Sequence, residues 1–179
     1  MDDSAREALN AFPTWLQALN EDLVELAGLL KDAQLPEELR LWVAGATGYI
    51  FKSIDLIPDG IEDLGFLDDA FVIRVMARHA AEQLHSEEVP PVLARLAKDA
   101  QFIQTFLGSV YTRLDEFVSG LCIVVVRGKS PSDIVQDPAL AQQVCDEIGV
   151  FARNYVAPEF AQEERTLLKL QSFLSTKLP

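Results

Sequence analysis

Cysteine, histidine and positive charge are all scarce in this chain, and each scarcity narrows the range of functions. Only two cysteines occur in 179 residues. Cys122 and Cys145 show no CxxC spacing, which predicts two reduced thiols in a cytoplasmic protein. The two histidines, His79 and His85, are six residues apart, whereas zinc ligands on one helix need a spacing of three or four, so no zinc site is expected. Fifteen lysines and arginines face 28 aspartates and glutamates, a formal net charge of −13. The imbalance is concentrated at the front: residues 1–70 hold 4 basic and 15 acidic residues (net −11), and residues 71–179 hold 11 and 13 (net −2). An acidic front half repels phosphate backbones and anionic lipid, which argues against nucleic acid and membrane surfaces as partners. A protein with a basic surface, or a metal ion, is the charge-compatible partner. No run of 18 apolar residues occurs, and no charged-then-apolar start follows Met1-Asp2-Asp3, so neither a transmembrane segment nor a signal peptide is expected. Internal repeats, low-complexity tracts and long linkers are missing too, which predicts one domain over residues 1–179.

What the chain does contain is apolar residues, 49% of the total, in helical phase. Phe12, Trp15, Leu16, Leu19, Leu23, Leu26, Ala27 and Leu30 recur at threes and fours, with Pro13 placed in the first turn of the helix they imply. Pro36 opens a second helix, with Glu37 and Glu38 at its positive end and Leu39, Trp42, Val43, Ala46 and Ile50 as its buried stripe. Residues 67–84 read as a third, apolar on nearly every side, with Arg74, Arg78 and Glu82 as its one polar line. A helix of that kind is a central one. From Leu93 the apolar phase runs through 96, 97, 100, 103, 107, 110, 114, 117, 118, 121 and 125, either as one long helix or as two broken near Gly108. The β-branched residues around 122–126 have no evident partner strand, and Arg127-Gly128-Lys129 reads as a cationic helix stop. Ser130 and Asp137 read as helix starts, and Pro158 as the start of the last helix. The fold class expected is all-α, a single-domain bundle of about six or seven helices.

Two phosphate-loop look-alikes fail on context. The stretch from Gly45 through Gly48 has Phe51 where a third glycine belongs and lacks the alternating strands of a dinucleotide fold, so Gly45 and Gly48 are expected to let a neighbouring element pack close. The Gly128-Lys129-Ser130 ending lacks its upstream glycine, since position 123 is isoleucine.

One stretch stands apart. Residues 53–69 hold six carboxylates (Asp55, Asp59, Glu62, Asp63, Asp68 and Asp69), broken by Pro58, Gly60 and Gly65. Four of these, Asp55, Asp59, Asp68 and Asp69, form a candidate ligand set for Mg²⁺, Mn²⁺ or Ca²⁺, because hard cations take carboxylate oxygens. Their spacing is not that of an EF-hand loop. The favoured expectation needs no cofactor. In it, Asp55 and Asp59 accept from turn N–H groups, Asp68 and Asp69 cap the third helix, Pro58 fixes the turn, Gly60 and Gly65 adopt positive φ, and Leu56 and Ile57 anchor the loop in the core.

Ile54-Asp55-Leu56-Ile57-Pro58-Asp59, followed by Leu64-Gly65-Phe66-Leu67-Asp68-Asp69, resembles the signature of the YkvA-like family, a small bacterial domain of unknown function. The resemblance covers residues 39–80. It departs from the usual pattern at Lys52-Ser53, Gly60 and Glu62. It implies a helical fold and no particular activity. The expectation for function is therefore a non-catalytic protein-interaction module with an acidic front half. The alternative is a divalent-metal-dependent hydrolase built on Asp55, Asp59, Asp68 and Asp69.

Overall fold

A helix that is apolar all round must be surrounded, and the architecture follows from that requirement. The computed structural model describes residues 3–51, 55–61, 63–85 and 88–179. In it α3 (Leu67–Ala81) is buried at every position from Leu67 to Ala77. It packs against α4 (Pro91–Leu107), α2 (Glu37–Tyr49), α1 (Asp3–Leu29) and α5 (Tyr111–Gly120). The short α6 (Pro131–Gln136) lies on α2, and α7 (Pro138–Asn154) and α8 (Glu164–Lys177) pack on α1. Among the described residues there is no β-strand, and seven helices of ten residues or more make an all-α bundle. None of the described helices is long and apolar enough to cross a membrane.

Local signals behave as expected at several joints. Ser130 and Asp133 form a reciprocal capping box at α6, and Asp137 accepts the Ala139 N–H at 2.8 Å to cap α7. The fourth apolar run breaks in two, because Gly108 takes φ 55° and stops α4. Gly45 behaves as a close-packing residue, since a Cβ there would lie 2.8 Å from the Leu121 carbonyl oxygen.

Elsewhere tertiary packing overrides the local reading. α1 begins at Asp3, so Pro13 lies inside the helix and not in its first turn. Ala8 and Leu9 extend the buried face ahead of Phe12, and their packing offsets the hydrogen bond that a mid-helix proline removes. α8 begins at Glu164, six residues beyond Pro158. Residues 127–129 do not end a helix. Arg127 and Gly128 both take positive φ, 51° and 76°, and form a two-residue turn closed by the Val126–Lys129 pair. This is the turn geometry that asparagine and glycine usually serve. Val125, counted with the apolar phase, is exposed because the helical geometry has already ended at Ile123.

The largest departure is Arg74. It leaves the expected polar line and sits 2% exposed in the core. Its Nε donates to Asp99 at 2.9 Å, its Nη2 approaches Asp22 at 3.4 Å, and its guanidinium lies 4.3 Å from the centre of the Trp15 ring. Asp22 is itself 1% exposed and is also bound by Arg95 at 2.6 Å. A buried cation with two carboxylates, a carbonyl from Ala70 and an aromatic face has its hydrogen-bonding needs met, which is the condition for burying charge at all. The network ties α1, α3 and α4 together. Arg78 and Glu82 do pair on the surface, at 2.9 Å.

Candidate functional site

The acidic loop folds back over the end of α2 and the start of α3. Backbone bonds build the turn: Ile61 N–H donates to the Pro58 carbonyl, and both Leu64 and Gly65 donate to that of Ile61. Leu56 and Ile57 enter the core, as the sequence suggests. Ile54, with Lys52, Ser53 and Glu62, lies outside the described residues.

Neither glycine takes positive φ. The residue that does is Phe66, with φ 63°, directly before α3. Gly65 is needed for space instead: a Cβ would fall 2.3 Å from the Asp59 carbonyl oxygen. Gly60 has nothing within 4 Å of that position, so nothing there calls for glycine.

Asp68 and Asp69 occupy the first turn of α3 but do not make the expected cap. The N-cap residue Phe66 supplies no side-chain bond. Asp68 is 0% exposed, and its Oδ2 accepts the Tyr49 hydroxyl at 2.6 Å and the Ile57 N–H at 3.0 Å. The Leu56 N–H in turn donates to the Tyr49 oxygen at 2.9 Å. One carboxylate and one phenol thus hold the loop onto two helices. Among the described residues nothing hydrogen-bonds to the buried Asp68 Oδ1 or Asp69 Oδ1, and Asp69 is 2% exposed. Among the described residues no lysine or arginine pairs with either.

The electrostatics follow from this geometry. Burial pushes Asp68 up to about 6, against the bonds from Tyr49 and Ile57. Burial pushes Asp69 well above the usual carboxylate range, and the fields of Asp68, Asp59 and Asp55 act in the same sense. Asp59 is pushed to about 6 by burial and then by Asp55 and Asp68, although its side chain reaches solvent. Water screens Asp59, so the buried pair carries the larger free energy. Tyr49 and Tyr155 are both raised, by burial first and then by these carboxylates. The four aspartates therefore feel one another. Even so, among the described residues no three acidic, histidine or cysteine side chains are placed to hold one metal ion.

Chemistry is sparse elsewhere. His79 stacks on Trp42 at 4.5 Å, and its Nε2 lies 2.8 Å from Asp115 Oδ1, an oxygen also bound by Arg78. Cys122, nearby in the same groove, is pushed up to about 11 by burial and is no nucleophile at neutral pH. Tyr49 went unnoticed in the sequence because it follows Gly48 in an apolar stretch.

Residues 39–74 match a family model described as a protein of unknown function (DUF1232). The match spans α2, the loop and the first half of α3. It supports kinship with an uncharacterised family and does not decide the YkvA-like name. No curated protein and no solved structure matches the chain. The matched segment contains Tyr49, Asp68, Asp69, Gly65 and Arg74, the residues that build the loop junction and the core ion pair.

Proposed function

We propose that this chain is a non-catalytic helical module that binds another protein through its acidic front half. One observation supports the reading. Asp3, Glu7, Glu21, Asp32, Glu37 and Glu38 all stand exposed along α1, α2 and their connection, where the exposed cations are Arg6 and Lys31. A partner with a basic surface complements that field, and its encounter rate should fall with salt. The test uses a lysine-rich amphipathic peptide and its glutamate-rich counterpart. The lysine peptide should bind in a salt-dependent way and be lost when Glu21, Glu37 and Glu38 are changed to Lys. Equal binding of both peptides, or no effect of the charge reversal, refutes the reading.

A second reading rests on Asp68 Oδ1 and Asp69 Oδ1, which have no partner among the described residues: a divalent ion at the loop, with Asp55 and Asp59 drawn toward it, as a hydrolase would need. Against it stands the burial of the two aspartates, which leaves a substrate no approach to them. Melting in EDTA and then with Mg²⁺, Mn²⁺ or Ca²⁺ separates the readings, since an ion bound only by the native state adds RT ln(1 + [L]/Kd). No ion dependence at millimolar concentrations removes the second.

A further inference from the structure

A groove of about 460 Å³ opens where α2, α3 and the end of α5 meet, lined by Glu38, Leu41, Trp42, His79, Gln83, Ser119 and Cys122. Its aromatic wall is held in place. His79 lies flat on the Trp42 indole with the ring planes 3° apart, and Asp115 holds the imidazole from α5. Trp15 is 6% exposed, whereas Trp42 is half-buried, so Trp42 is the indole that a group arriving from solvent can reach.

Acceptors dominate the polar part of this lining. Glu38 is an exposed carboxylate with no ion pair among the described residues. Gln83 donates its amide nitrogen to the His79 carbonyl at 3.3 Å, and Ser119 donates its hydroxyl to the Asp115 carbonyl at 2.9 Å, so each keeps an oxygen free to accept. Arg78, next to His79 in sequence, does not compete for these oxygens, because Glu82 and Asp115 already pair with it. A carboxylate, two further acceptors and an aromatic face select a cation with several donors. A guanidinium meets both demands, since it stacks on a ring and forks its donors to oxygens, and an ammonium does so less well. Leu41 and Cys122 give its methylene stem an apolar wall. We propose that this groove takes an arginine side chain of a basic partner, with its guanidinium against Trp42 and Glu38 and its stem along Leu41 and Cys122. The anchor rests on the acidic-face reading above and names the residue type that the face selects.

The test compares the lysine-rich amphipathic peptide with the same peptide carrying arginine at every lysine, each labelled at its N-terminus and titrated against the full chain by fluorescence anisotropy. The arginine peptide should bind about fivefold tighter. It should also shift the indole emission of the parent, through Trp42. Trp42→Leu should bind the two peptides equally, and Trp42→Phe, which keeps an aromatic face, should retain part of the preference. Glu38→Gln lies at an exposed position, should melt like the parent, and should narrow the preference to about twofold. Equal affinity of the parent for the two peptides overturns the anchor, and so does a preference that survives Trp42→Leu or is undiminished in Glu38→Gln. Salt-dependent binding of both peptides in those cases leaves the acidic-face reading standing. Binding of neither peptide removes both.

Discussion

Replacing Asp68 with Asn tests the central electrostatic claim. In the native protein Asp68 is fully buried, accepts from Tyr49 and Ile57, and has its carboxyl pushed up to about 6. The unfolded chain releases that proton near pH 4. Between these values the native state holds a proton that the unfolded state has lost, so stability falls as pH rises. The contribution is fully present below about pH 4 and is gone above about pH 6. A difference of two pH units corresponds to about 3 kcal/mol. Asn keeps an oxygen for the Tyr49 hydroxyl and the Ile57 N–H but carries no charge. Asp68→Asn should therefore gain up to about 3 kcal/mol at pH 8 and almost nothing at pH 4. Asp68→Ala sheds the same charge but strands two buried donors, so it should be less stable than Asp68→Asn by about 1–3 kcal/mol for each donor at either pH. The assay is the urea midpoint at pH 4.5, 6 and 8 in EDTA, converted through a common slope. An Asp68→Asn variant no more stable than the parent at pH 8, or a difference between the two that does not grow with pH, refutes the reasoning.

Three further outcomes follow from the same structure. Gly65→Ala should cost about 1–3 kcal/mol or more, because its Cβ meets the Asp59 backbone, whereas Gly60→Ala should be nearly neutral; chemical denaturation of both gives the contrast. Arg74→Met should cost about 3 kcal/mol by leaving the buried Asp22 with Arg95 alone, and Arg74→Met combined with Asp22→Leu should recover part of that loss in a double-mutant cycle. Ser130→Ala breaks the capping box and should cost about 0.5–2 kcal/mol, read from the shift in Tm.

The sequence by itself determined the helical class, the starts of α2, α6 and α7, the central place of α3 and the insertion of Leu56 and Ile57. These depend on patterns within a few residues: apolar spacing, a serine or aspartate before a proline, or a polar residue three positions from a cap. Tertiary structure alone decided everything that depends on distant partners. Arg74 reads as surface because Arg78 and Glu82 continue a polar line from it at a spacing of four, and only α1 and α4 bring Asp22 and Asp99 to it. Asp68 and Asp69 looked like caps because they open a helix, yet Tyr49 and Ile57 turn Asp68 inward. The left-handed residue fell on Phe66, whose ring packs edge-on against Tyr155 at 5.2 Å and Phe151 at 5.9 Å. Such ring packing can offset a local strain of about 1–2 kcal/mol, and Gly65 was left to fill a space too tight for a Cβ. Propensity ranks what a residue prefers alone, and the buried partners it meets on folding outweigh that preference wherever they contribute more than about 1–2 kcal/mol.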